Sequence, residues 1–129
     1  MQKVKRMIIS CRGERILFEL LENSISEALW GILPFGSRVN RWGKEIYFQL
    51  PFKAEMEDTV ELVQPGDVAY WAPGSALCIF WGPTPASRGE EIRPASGVSV
   101  FGRVTEGMDI LINESIRDGD LVVLERAGE

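Results

Sequence analysis

The residue types that could do chemistry in this chain are few. There are two cysteines, Cys11 and Cys78, and no histidine at all. The missing imidazole excludes histidine-based triads, histidine metal sites and any histidine general base. Each cysteine sits in an apolar, strand-like run, where a small buried thiol kept reduced in cytosol is the ordinary role. A disulfide or a reactive thiol is the alternative. A Cys78 nucleophile would lack a basic partner, and its apolar surroundings would raise its pKa and quiet it. Two isolated cysteines without a histidine make a weak zinc site, so neither a metal nor a cofactor is expected.

The acids of Lys53–Gln64 (Glu55, Glu57, Asp58 and Glu61) have the look of a carboxylate pair for acid–base work. No apolar flank would raise the pKa of one of them, so a solvated face is the better reading. Aromatic side chains are the richer signal. Trp42, Tyr47, Tyr70, Trp71 and Trp81 fall close together with Pro73 and Pro83. Such residues bury readily as core, but they also line clefts that hold apolar ligands.

These residues need a scaffold, and the totals bound it. The 129 residues carry a net charge of −5, with 45% hydrophobic and 26% charged residues. That is one soluble globular domain, 1–129, large enough to bury a core. An acidic surface repels phosphate backbones, so nucleic acid is not an expected partner. No apolar run approaches the roughly 20 residues that cross a bilayer, so no membrane span is expected. The basic-then-apolar start at Met1–Ser10 is too short in its apolar part for a secretory leader, which makes the expected location cytoplasmic. Asparagine and glutamine, three of each, are scarce beside Glu and Arg, a composition that leans toward a heat-adapted protein.

In chain order, Lys3–Cys11 and Arg15–Leu20 read as a hairpin about Arg12-Gly13. Ser24-Ile25-Ser26-Glu27 reads as a capping box that opens a helix. Its apolar face is Ile25, Ala28, Leu29, Ile32 and Leu33, and Pro34 stops it. Trp30 lies off that stripe, at a rim contact or simply exposed. Phe35-Gly36-Ser37 reads as a linker. Arg38–Trp42 and Lys44–Leu50 form a second hairpin, in which Ile46, Phe48 and Leu50 share one face while Glu45, Tyr47 and Gln49 share the other. Val68–Trp71 and Ala76–Trp81 are nearly all-apolar strands joined at Pro73-Gly74. Thr84–Gly97 is a long irregular loop of the kind that is often functional. Val98–Val104 and Leu121–Glu125 are the last strands, with a short helical piece at Met108–Ile112. The economical architecture is mainly β: a closed antiparallel barrel of about eight strands, capped by one helix.

Two stretches, Ile8–Leu20 with the following helix and Val100-Phe101-Gly102-Arg103-Val104-Thr105-Glu106-Gly107-Met108-Asp109-Ile110, resemble the opening hairpin and the late strand-turn-helix of cyclophilins. Gly74-Ser75 before an apolar strand is similar to their central strands. The runs Trp42–Phe48, Gly66–Pro85 and Arg93-Pro94-Ala95-Ser96 resemble a small uncharacterised cyclophilin-like family of archaea and bacteria. The resemblance spans nearly the whole chain and implies a cyclophilin-type barrel. It also implies a site from which the isomerase groups are missing. The catalytic arginine's place falls on Phe48, a glutamine and a phenylalanine become Ala76 and Cys78, and the site histidine falls on Val98. Phe48, Ala76 and Val98 have no side-chain donor with which to polarise a prolyl amide.

Three functions follow. The first is a non-catalytic binding module, with a peptide or small apolar ligand in a cleft formed by Tyr47, Phe48, Tyr70, Trp71, Ala76, Cys78, Trp81 and Val98. The second is a divergent prolyl isomerase, which would need Arg38, Arg41 or Arg103 to swing into that cleft. The third is an assembly role as a homodimer through strand edges or the aromatic patch. The first is preferred, with no catalytic residue expected.

Overall fold

The computed structural model describes residues 4–127. Nine strands and two helices follow in the order β1 (Arg6–Cys11), β2 (Glu14–Leu20), α1 (Ser24–Ile32), β3 (Phe35–Arg38), β4 (Asn40–Arg41), β5 (Glu45–Gln49), β6 (Asp67–Trp71), β7 (Ala76–Phe80), β8 (Ser99–Glu106), α2 (Met108–Ile112) and β9 (Leu121–Arg126). The Lys3 end of the first expected strand lies outside the described residues. A single 3₁₀ turn, Ala72–Gly74, joins β6 to β7.

All nine strands form one antiparallel sheet in the order β3-β9-β1-β2-β8-β6-β7-β5-β4. Its two outermost members, β3 and β4, are successive pieces of one stretch broken only at Val39. That stretch pairs with β9 through Phe35↔Leu124 and with β5 through Arg41↔Ile46. The sheet thus curls into a nearly closed barrel. At the seam, the Val39 amide donates to the Asp120 carbonyl and the Gly119 amide to the Val39 carbonyl.

The expected linker at Phe35-Gly36-Ser37 is therefore strand β3, a correction to the sequence reading. Its partner lies more than 80 residues downstream, and a ladder of that span leaves no local pattern to read. The helix start is corrected by one residue. Asn23, not Ser24, is the N-cap, and its side chain accepts from the Ser26 amide at 2.9 Å. Asparagine caps as well as serine, and Ser26 is instead committed to the sheet, donating to the Phe101 carbonyl at 3.1 Å. Trp30 sits at the rim with the Arg126 guanidinium 4.7 Å from its ring centroid.

Strand alternation sorts the side chains into two apolar layers. Phe18, Ile46, Phe48, Val68, Tyr70, Leu77, Ile79 and Phe101 fill the barrel, under α1. Each buried Phe or Leu there contributes about 1.5–3 kcal/mol. The opposite faces of β5, β6 and β7 carry a second, smaller layer: Ala69, Ala76, Cys78 and Phe80, with Val63, Ile92 and Val98. Two loops cover it. They are stitched down by the isolated pairings Val60↔Val98 and Val63↔Ile92. The candidate site belongs to this outer layer.

Candidate functional site

On the outer face, β5 presents Glu45 and Tyr47, and β7 presents Cys78 and Phe80. The register places Glu45 opposite Phe80 and Tyr47 opposite Cys78. On the other side of β7, β6 places Ala69 beside Cys78 and Trp71 beside Ala76. A cavity of about 240 Å³ results, lined by Trp42, Glu45, Tyr47, Trp71, Cys78, Phe80, Pro94, Ala95 and Val98.

The rim is built by local contacts. Trp42 precedes Gly43, which adopts φ +62°. The Gly43 backbone packs so tightly on the next loop that an added Cβ would lie 2.8 Å from Pro85 Cδ and 2.9 Å from Thr84 Cα. Trp71 ends β6 with its ring resting on Gly74, and its Nε1 donates to Ser96 Oγ at 2.7 Å. Pro94 and Ala95 come from the long 84–97 loop. That loop is ordered by Thr84, whose hydroxyl donates to the Arg93 carbonyl, and by Ser87, whose Oγ accepts from the Thr84 and Arg93 amides.

Glu45 is the polar group of the cavity. It is only 5% exposed, and its Oε1 has no hydrogen-bond partner. Among the described residues it takes part in no ion pair. Burial pushes its pKa up to about 7, only partly offset by the neighbouring Cys78 thiol. Burial, together with the adjacent Glu45, drives the Cys78 thiol well above its usual range. The cavity therefore holds a carboxyl poised near neutrality and an inert thiol, set among aromatic faces.

Of the residues expected from sequence to form the cleft, Tyr47, Trp71, Cys78 and Val98 line this cavity together. Phe48 and Tyr70 point into the barrel, 0% and 1% exposed. The Tyr70 hydroxyl accepts from the Ala54 amide at 2.9 Å. Ala76 lies in the outer layer but not on the cavity wall. Trp81 packs into the barrel core, with the Arg41 guanidinium 5.4 Å from its ring centroid. Alternation explains the division, since Phe48 and Tyr70 are each one residue from a cavity-lining neighbour.

Glu45, Phe80, Pro94 and Ala95 were not among the expected residues. The signal for Glu45 was present: it shares a strand face with Tyr47. The three candidate arginines lie elsewhere. Arg103 pairs with Asp67 at 3.3 Å, Arg41 with Glu114 at 3.1 Å, and Arg38 donates to the Gly119 carbonyl.

Among the described residues, no helix is long and apolar enough to cross a membrane. No curated protein matches the chain. Among solved structures, the hypothetical protein AF2241 from Archaeoglobus fulgidus is 40% identical over 96% of this chain and 95% of its own, with a TM-score of 0.81. A cyclophilin-type peptidyl-prolyl cis-trans isomerase from Cryptosporidium parvum shares the fold, at TM-score 0.58 and 14% identity over 98% of this chain and 99% of its own. The family model described as cyclophilin-like matches residues 5–125, and the chain belongs to the cyclophilin-like family.

Proposed function

We propose that the protein is a non-catalytic binding module whose ligand is a small molecule held in the cavity on the outer face of β5 and β7. The observation that carries this reading is the cavity itself: two indoles, a phenol and a phenyl ring lining a partly open, mainly apolar pocket. Its volume of about 240 Å³ falls below the roughly 300–1,000 Å³ of drug-sized sites. That size favours a compact ligand over an extended peptide. The arginines that an isomerase reading needs are engaged away from the cavity. With both cysteines free and buried, a reducing cytoplasm suits the fold.

The test is a ligand-induced thermal shift across a panel of small metabolites, repeated with Trp71→Ala. A ligand present at 100 times its Kd stabilises by about 2.7 kcal/mol, which raises the midpoint by several degrees in a domain of this size. Silence across a broad panel would count against the reading. Turnover in a protease-coupled prolyl peptide assay, abolished by Arg103→Ala, would replace it with isomerase activity.

A further inference from the structure

We propose that the ligand of this cavity is a small organic cation, an alkylated ammonium whose charge sits against Glu45 inside a cage formed by Trp42, Tyr47, Trp71 and Phe80. The inference rests on the binding reading above and specifies its chemistry.

Three observations converge on it. First, Glu45 is 5% exposed and lines the cavity, and its Oε1 has no partner. The Cys78 thiol offsets its burial only in part, so the buried carboxylate stays disfavoured unless a cation meets it. Second, among the described residues no side chain forms an ion pair with Glu45. The arginines that adjoin lining residues in sequence are committed, Arg41 (beside Trp42) to Glu114 and Arg93 (beside Pro94) to Glu91, and the aliphatic stem of Lys44 packs on Gly82. Third, four of the other lining residues, Trp42, Tyr47, Trp71 and Phe80, are aromatic. Ring faces carry the negative end of a quadrupole, so they attract a desolvated cation and are indifferent or unfavourable to an anion. A carboxylate among such faces is an unfavourable arrangement until a positive charge enters. The net charge of −5 draws cations in the same direction.

A competing ligand chemistry is a neutral carbonyl accepting from protonated Glu45. The two differ in their pH dependence. The titratable groups facing the cavity are Glu45 and Tyr47 of β5 and Cys78 of β7; Trp71, Val98, Pro94 and Ala95 bring none. Because Glu45 ionises near 7, a permanent cation should bind about tenfold more tightly at pH 8.5 than at pH 6, following the ionised fraction. A carbonyl ligand should bind more weakly over the same range.

The experiment titrates choline, tetramethylammonium and 3,3-dimethylbutan-1-ol, the neutral carbon analogue of choline, into the wild-type protein and Glu45→Gln at both pH values. Choline is expected to bind wild type at least about tenfold more tightly than the alcohol does. That preference should shrink markedly in Glu45→Gln, to the part that the rings alone supply. If the alcohol matches choline, or if choline affinity falls as pH rises, the charge assignment is overturned and the cavity remains a neutral binding site. If neither ammonium compound binds while other small molecules shift the melting point, the cation is overturned and the binding reading stands. Should Glu45→Gln fail to fold, the wild-type pH profile and the choline-to-alcohol ratio decide alone. A peptide bearing trimethyllysine, run in parallel, separates the source of the head group: tighter binding than choline would overturn the assignment to a free small molecule.

Discussion

The Trp71 indole donates from Nε1 to Ser96 Oγ at 2.7 Å, tying the end of β6 to the loop that brings Pro94 and Ala95 over the cavity. Ser96 is exposed, so the bond contributes little to global stability, within the usual 0.5–1.5 kcal/mol. Its effect falls on the site. Ser96→Ala is expected to lower ligand affinity by about three- to tenfold while leaving the denaturation midpoint nearly unchanged. Titration calorimetry and urea unfolding on the same preparation check both halves. An unchanged Kd would show that the indole holds its place without the loop.

Gly74 supports the same ring from behind. A Cβ there would lie 2.9 Å from Trp71 Cε3 and Cζ3, closer than carbon atoms approach without movement. Gly74→Ala must therefore push the indole off its seat, a local overpacking that costs about 1–3 kcal/mol. Tryptophan emission should shift, and binding should weaken more than in Ser96→Ala. Wild-type affinity in this variant would mean that the ring tilts freely.

Much of this architecture could be read from residue order, and the exceptions share a cause. The hairpins at Arg12-Gly13 and Pro73-Gly74 and the short helix at Met108–Ile112 are local events, each written in a turn or a period. Strand β3 was invisible because its ladder partner is β9, far along the chain. The site divided along the same line. Tyr47 enters the expected cleft from the concentration of aromatic residues and Cys78 from the cyclophilin resemblance; the β5–β7 pairing that sets them opposite each other is non-local. Phe48 and Tyr70 could not be told from them without knowing which face of the sheet closes on itself. Glu45 shares the Tyr47 face of β5, but no local pattern shows that Pro94 and Ala95 of the 84–97 loop line the same cavity.

Gly43 is the second backbone constraint on the site. At φ +62° it occupies the left-handed region, and an added Cβ would meet Pro85 Cδ at 2.8 Å and the Pro83 carbonyl at 3.1 Å. Strain and overlap add, so Gly43→Ala should destabilise the fold by about 2–4 kcal/mol. The neighbouring Trp42 wall should open as well. Urea denaturation measures the first effect; a loss below about 0.5 kcal/mol would mean the 83–85 loop moves aside easily.

Cys78 tests the dryness of the cavity floor. It is 2% exposed, and burial with the adjacent Glu45 holds its thiol protonated far above neutrality. A thiol that cannot ionise is a poor nucleophile. Native protein at pH 7.5 should therefore react with a thiol reagent at Cys78 only as fast as the structure opens, and far more slowly than in denaturant. Rapid single-site labelling, mapped by mass spectrometry, would contradict the packing described.

Glu45 makes the last prediction, and its sign runs opposite to that of a paired carboxylate. The unfolded chain releases this proton near 4.5, whereas the folded protein holds it until about 7. Between those values the native state binds more protons than the unfolded state, so stability falls as pH rises. At about 1.4 kcal/mol per pH unit across that window, the penalty approaches an amount on the order of 3 kcal/mol, fully present above pH 7 and absent below 4.5. Glu45→Gln carries no proton to lose. The stability difference between wild type and Glu45→Gln should therefore tilt against wild type from pH 5 to pH 8, with urea unfolding at half-unit steps as the measurement. Choline, by meeting the carboxylate in the folded state alone, should remove most of that tilt. A flat difference across the range would show that water reaches Glu45 freely, and the cage would lose its central charge.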